Sequence, residues 1–466
     1  MNQGANKWMI VIVERHALWT LWCIDFLQNA IKENREIEIL DLSSFRLVRH
    51  RGNSRYLLTK IYRKNRIESI LRRVAIRHNI KIITPSILER IKFPKRDFHK
   101  ENFLSFVNGL DSQYFEEIGT RITTETQIEP RILKHSSRVF DRVVEVITRN
   151  ITEKGITKVV VPGGRTLIPS AVIAGTQKLG TPCTVLEQIT SKSTRYFEFP
   201  LDFRKDLKPL QQQIDVTWAK GGNLKNEVAK NYLENKLRGQ QQGRNFSAKF
   251  DSTIEIVTPN EKKLAAIFVG SGFEMAPTEV EKKSTDLGSE QQKNIVRTFT
   301  KIAQENGFSV VLRGHPSSAG LEKMYAAEDK EWAEFCYENE VTHFPSTSKV
   351  DSYKLMKNSD INVVYASTAG IDSIILGTNT LILANTDWTH LVPELCAFDE
   401  QSIRDRFNRF ERIVEVKRLY PYAFFMERGG VKISNVEYSP SEDTLYFEGQ
   451  QIGAPRFRYL GKFFKR

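Results

Sequence analysis

The stretch DINVVYASTAGIDSIILG, Asp360 to Gly377, joins two periodicities through a turn. Ile361 to Tyr365 is a short run of mostly branched apolar residues, which reads as a strand covered on both faces. Small residues follow, and then Ile371, Ile374 and Ile375 recur at helical spacing, so the segment predicts strand, tight turn and helix. Ser367, Thr368, Ala369 and Gly370 fall where the helix starts. Hydroxyls and backbone N–H groups there suit a phosphate, and Asp372 in the first turn could accept ribose hydroxyls. The same residues also serve as a plain N-cap and as a carboxylate answering the helix dipole. The stretch by itself leaves both readings open.

The same alternation extends along the chain. Strands are predicted at Met9–Val13, Glu38–Leu42, Ile80–Thr84, Lys158–Val161, Thr184–Glu187, Ala265–Val269, Ser309–Arg313, Asp360–Tyr365 and Thr380–Leu383. Helical patterns such as Ser289–Asn306 and Ser352–Asn358 lie between them. The class is α/β. At 466 residues the chain exceeds one ordinary core, so two Rossmann-like domains facing a central cleft are expected: residues 1–257 on the acceptor side and 258–402 on the nucleotide-sugar side. The Gln-rich Lys236–Ala248 reads as part of the connection. Residues 403–466 would form a helix, FNRFERIVEVKRLY, and a basic aromatic tail crossing back to the first domain.

Hydrophobic residues at 40% and charged residues at 27% fit a folded, soluble type of chain rather than a disordered or fibrous one. Its formal charge of +13 favours phosphorylated ligands, polyanions or anionic lipid surfaces. Cys23, Cys183, Cys336 and Cys396 are widely separated, with no C-x-x-C pair, which suggests neither a zinc site nor a disulfide scaffold and fits a reducing cytosol. The apolar run Trp8–Val13 is too short for a signal peptide or a membrane span, so membrane association would be peripheral.

In open α/β sheets ligands sit beyond the carboxyl ends of strands. One such end is VVLRGHP, where Arg313 and His315 precede Pro316, and a guanidinium and an imidazole there suit a phosphate; a solvated turn is the other reading. In FVGSGFEM, Gly270 and Gly272 let backbone approach a ligand, with Ser271 and Glu274 able to cap or bind. Phe344 precedes Pro345 and could flank a base. In the first half, Gly164 and Arg165 end one strand and Glu187 the next, offering an anion contact and a base for an acceptor hydroxyl, or a plain ion pair.

Taken in order, these pieces resemble the capsule-polysaccharide glycosyltransferases of the GT-B type, including the bacterial Kdo transferases. Gly164, Arg165 and Glu187 match the family's first-domain residues. Gly270–Glu274, Arg313–Pro316, Val350–Asp360 and Ser367–Asp372 match its second-domain motifs, and Gly377–Leu381 its final strand. Asp372 stands where the family usually has Glu, and Asn379 replaces a proline. The resemblance implies a metal-independent transferase without a cofactor, moving an acidic, Kdo-like sugar from a CMP-activated donor to a bacterial surface polysaccharide or its lipid-linked precursor. It implies that Arg313 and His315 lie near the donor phosphate, with His315 assisting the leaving group. Ser367–Gly370 would lie beneath that phosphate, with Glu187 as base and Arg165 beside it. A non-hydrolysing sugar-nucleotide epimerase shares the H-P turn and the small-residue helix start, and is the alternative.

Between Arg46 and Arg77 the chain is crowded with Arg and Lys, and the tail from Arg456 mixes Phe457, Tyr459, Phe463 and Phe464 with cations. Such stretches suit anionic lipid, nucleic acid or a solvated face. A lipid-linked acceptor favours the first, placing the protein in the cytoplasm at the inner face of the membrane, with nucleotide sugar and glycan or glycolipid as partners and no nucleic acid. A nucleic-acid-binding protein is the remaining alternative.

Overall fold

The computed structural model describes residues 6–13, 17–45, 69–91, 94, 96–103, 105–107, 109–110, 129–164, 166–188, 194–200, 207–238, 263–270, 289–315, 322–407, 414–439 and 444–451. They form two compact units. The first holds the described residues up to 200 and those from 430 onward; the second holds 207–429. Strands follow in chain order as β1 (Lys7–Ile12), β2 (Glu36–Asp41), β3 (Ile82–Ile83), β4 (Lys158–Pro162), β5 (Cys183–Glu187) and β6 (Arg195–Pro200). In the second unit come β7 (Lys263–Val269), β8 (Phe308–Arg313), β9 (Thr342–Phe344), β10 (Ile361–Tyr365) and β11 (Thr380–Ile382). After it come β12 (Val431–Lys432), β13 (Val436–Ser439), β14 (Thr444–Phe447) and β15 (Gln450–Gln451).

The first unit is a seven-stranded sheet in the order β12-β6-β5-β4-β1-β2-β3, parallel from β5 to β3 and antiparallel at β6 and β12. Ile10 and Ile12 pack with the Ala17–Lys32 helix and with the helix at residues 69–77. Met9 and Val11, on the alternate side, are equally buried, so both faces are covered. β12 closes the sheet from far along the chain. Gly430, at φ +73, lies so close to the Tyr196 carbonyl that a Cβ would stand 2.5 Å from its oxygen, and only glycine fits. Buried Asp25 then accepts the Ser434 N–H and the Tyr196 hydroxyl, fastening the returning segment.

The second unit is a five-stranded, wholly parallel sheet in the order β11-β10-β7-β8-β9. Its core runs from Val296 and Phe299 of the Ser289–Glu305 helix, across the strands, to Ile403 and Phe407 of the Glu400–Phe407 helix. Asn362, polar inside β10, donates its side-chain amide to the Met356 carbonyl and the Thr378 hydroxyl, while its side-chain oxygen is buried without a partner. The Lys208–Ala219, Lys225–Leu237 and Tyr420–Arg428 helices pack together in this unit.

Each strand expected from sequence is present, with ends shifted by a few residues. β6, β9 and β12–β15 were not foreseen. FNRFERIVEVKRLY is not one helix: Glu400–Phe407 is helical, residues 408–413 lie outside the described residues, Val414 and Glu415 are non-helical, and Val416–Leu419 is a 3₁₀ turn. Stiff Val414 and Val416, the former buried, favour the break. Of the stretch expected as connection, Lys236 and Leu237 belong to a helix of the second unit, which also holds the described residues that follow, and 239–248 lie outside the described residues. The expected boundary at 257/258 and the aromatic tail lie outside the described residues.

Candidate functional site

From β7 the chain steps through β8 to β9 on one side; β10 then pairs with the other side of β7 and β11 follows it. The strand order therefore reverses between β7 and β10, the switch point at which open α/β sheets take ligands. Register pairs Val269 with Tyr365, Phe268 with Arg313, and Arg313 with Phe344. Gly270, Gly314, Pro345 and Ala366 thus emerge along one sheet edge. Gly270 is buried immediately after β7, and His315 and Phe344 are half-buried. Ser271, Gly272, Glu274 and Pro316 lie outside the described residues.

Arg313 turns inward instead of facing the edge. It is 1% exposed, and its guanidinium donates to the carbonyls of Gly314, Pro345 and Ser348. The Gly314 N–H donates to the Phe344 carbonyl, and Asp329 accepts both the N–H and the hydroxyl of Ser346. These contacts fix the turns after β8 and β9 to each other. Burial pulls the guanidinium down to about 10, with Asp329 opposing, so it stays charged at neutral pH. His343 is lowered, first by burial and further by Arg313, with Asp329 opposing.

Beyond β10, Ala366 adopts φ +48, a conformation unusual for a residue bearing Cβ. It turns the chain so that the Ser367 hydroxyl accepts the Ala369 N–H, while Thr368 is exposed. Gly370 lies against the Trp388 ring, 2.8 Å from where a Cβ would stand. Asp372 is buried, and its carboxylate accepts the ammonium of Lys236 on the Lys225–Leu237 helix. Burial raises Asp372 and Lys236 opposes the rise. Asp387, after β11, is pushed up to about 6 by burial, against the N–H groups of Asp387 and Trp388. Tyr422 is raised by burial and further by the charges of Asp387 and Asp372. A ribose hydroxyl at Asp372 would therefore share its carboxylate with Lys236.

Sequence reasoning did not find Lys236, Trp388 or Asp387. Lys236 sits in a stretch read as connection, and nothing local marks it as the partner of Asp372. Asp387 and Trp388 lie in the loop that follows β11, and that position was the available signal.

In the first unit, β4 and β5 lie in register with Pro162 opposite Leu186, so Gly163, Gly164 and Glu187 share one sheet edge. Glu187 is half-buried and accepts the Gln188 N–H at 3.1 Å. Arg165 lies outside the described residues. Asp97, His99 and Asp141 bring potential ligand atoms within 4.8 Å of one another. Both Asp141 oxygens already accept N–H groups of His99, from backbone and ring, and Asp97 pairs with Lys100. The group reads as a clamp between the Phe98–Glu101 and Pro130–Lys154 helices.

The site thus offers hydroxyls at Ser367 and Thr368 and the His315 imidazole along one edge, with the Ala369, Gly370 and Ile371 N–H groups already engaged by Ser367 and Thr368. No protein-family model matches the chain, and no curated protein matches it. Solved structures similar to it include Thermosulfurimonas dismutans KpsC, beta Kdo 2,4 transferase, at 13% identity and TM-score 0.36, covering 58% of this chain and 80% of that one. The beta Kdo 2,7 transferase of the same KpsC has 12% identity and TM-score 0.35, over 60% and 80%. A UDP-GlcNAc 2-epimerase from Methanocaldococcus jannaschii has 12% identity and TM-score 0.27, over 91% and 100%.

Proposed function

We propose that the chain is a GT-B glycosyltransferase moving an acidic, Kdo-like sugar from a CMP-activated donor to a bacterial surface polysaccharide or its lipid-linked precursor. The work is done in the cytoplasm at the inner face of the membrane. The observation that carries the reading is the switch point between β7 and β10, where Gly270 and Ser367–Gly370 emerge side by side. It supports a nucleotide phosphate at that edge, received by the Ser367 and Thr368 hydroxyls. His315 meets the departing phosphate, Phe344 flanks the base, and Asp372 takes the ribose alongside Lys236. Arg313 acts through the two turns it fastens rather than by touching the anion. On the acceptor side, Glu187 takes the proton of the attacking hydroxyl, with Arg165 beside it. The donor sugar is a substrate, and neither metal nor cofactor has a role in this scheme.

Thermal stabilisation by CMP, CDP, UDP and GDP reads out the nucleotide, since a ligand at a hundred times its Kd stabilises by about 2.7 kcal/mol. CMP should stabilise the chain, and CMP release from CMP-Kdo should be lost in His315→Ala. Absence of binding by any cytidine nucleotide would sink the donor assignment. Conversion of UDP-GlcNAc without an acceptor would assign the epimerase reading instead.

A further inference from the structure

The helix at residues 69–77 has two unlike faces. Ile70, Leu71, Val74 and Ala75 are buried in the core of the first unit against the Ala17–Lys32 helix and β2. On the other side Arg72, Arg73, Ile76 and Arg77 form one exposed stripe, the pairs 72/76 and 73/77 each spaced by a helical turn. Exposed His78 and Lys81 continue it toward β3, the last strand in the sheet order. No acidic residue occurs from Ser69 to Lys81, and Glu68 is the sole one from Arg46 to Lys81.

Ile76 is 79% exposed in the midst of these cations. A single exposed aliphatic residue is ordinary on a solvated surface; it is its place among these cations that suits a lipid interface. An anionic bilayer uses both: long arginine stems lie along the interface with their guanidiniums at lipid phosphates, while the aliphatic group enters the acyl boundary. The described stripe carries no Phe, Tyr or Trp on which successive bases would stack, and its one imidazole, His78, makes no such platform. Because the inner face is anchored in a core, the stripe is held outward before any contact, and docking need not order the helix.

We propose that the outer face of residues 69–81 docks the protein on anionic phospholipid bilayers, with Arg72, Arg73, Arg77 and Lys81 at lipid phosphates and Ile76 inserted. The inference rests on the membrane part of the function proposed above and is independent of the donor.

Co-sedimentation of the full chain with vesicles tests it, using phosphatidylcholine alone and phosphatidylcholine mixed with phosphatidylglycerol, at roughly 0.1 M salt, where charges within about 10 Å are still felt. Binding is expected only to the mixed vesicles. The triple variant Arg72→Gln, Arg73→Gln, Arg77→Gln should weaken it by roughly a hundred-fold, given about five-fold per basic residue at an anionic surface. Ile76→Ser should weaken vesicle binding several-fold while leaving retention on an anionic resin unchanged, a split that a folding defect would not produce. Lys230→Gln with Lys330→Gln, exposed cations elsewhere, should change nothing. Failure of the parent to bind mixed vesicles, or equal binding by the triple variant, overturns the proposal. Binding of RNA or DNA lost in the triple variant but kept in Ile76→Ser, with no vesicle binding, overturns it in favour of nucleic acid. CMP stabilisation is measured on the same samples; its presence or absence reports on the donor and leaves the vesicle result unaffected.

Discussion

Two strand ends of the second unit, after β8 and after β10, are alike in sequence and unlike in structure. Each ends an apolar run with residues suited to a nucleotide, and each places its charged group inside. Arg313 is satisfied by carbonyls of turns that neighbour it in the sheet, Gly314, Pro345 and Ser348. Asp372 is satisfied by one ammonium, that of Lys236, which lies 136 residues away in sequence. The first is a brace made of backbone, and the second is a buried ion pair whose two halves can be removed separately. A charged residue at a strand end can therefore hold the neighbouring turns in place.

The largest test of this difference is Arg313→Ala. It leaves three carbonyls without their donor and opens a void, so urea unfolding should show a loss of about 4 kcal/mol. Arg313→Lys should recover little, because an ammonium lacks the planar fork that reaches three acceptors. An unchanged midpoint for Arg313→Ala would dispose of the brace. Next in size is Lys236→Met, which strands a buried carboxylate at a cost of about 3 kcal/mol. Adding Asp372→Asn should restore most of that loss, and a double variant no more stable than Lys236→Met would show that the two side chains are not coupled.

The smallest effect belongs to Asp387. Its folded value of about 6 lies above that of an ordinary carboxyl. Between roughly pH 4 and 6 the folded state therefore holds more protons than the unfolded one, and this residue's contribution to stability falls as pH rises through that window. Asp387→Asn should melt higher than the parent above pH 6, with the gap closing toward pH 4. A constant gap across the titration would refute the assignment.

The strands were legible because strands covered on both faces read as continuous apolar runs, as Ile361–Tyr365 does. β6, with the sequence RYFEFP, is antiparallel and mixes polar with aromatic residues, and β12 has two residues, so neither carries that signature. The sheet edge of the site was legible for the same reason: strand ends mark it. Side-chain direction was not. VVLRGHP shows that Arg313 ends a strand but not that its guanidinium folds back under the turn. Lys236 and Asp372 meet only through tertiary packing, for which local sequence has no signal.

The pairing of β12 with β6 bears on how the protein is made. The first unit contains residues at both ends of the described chain, with the whole second unit between them. As the polypeptide emerges from the ribosome, β6 has an uncovered edge until Val431 and Lys432 appear, while the second unit already has all its strands. The later-encoded unit can thus complete its sheet first, and the earlier one waits until Val431 and Lys432 are made. A nascent chain stalled between Gly429 and Ser434 would carry every strand of the second unit and an aggregation-prone edge on the first.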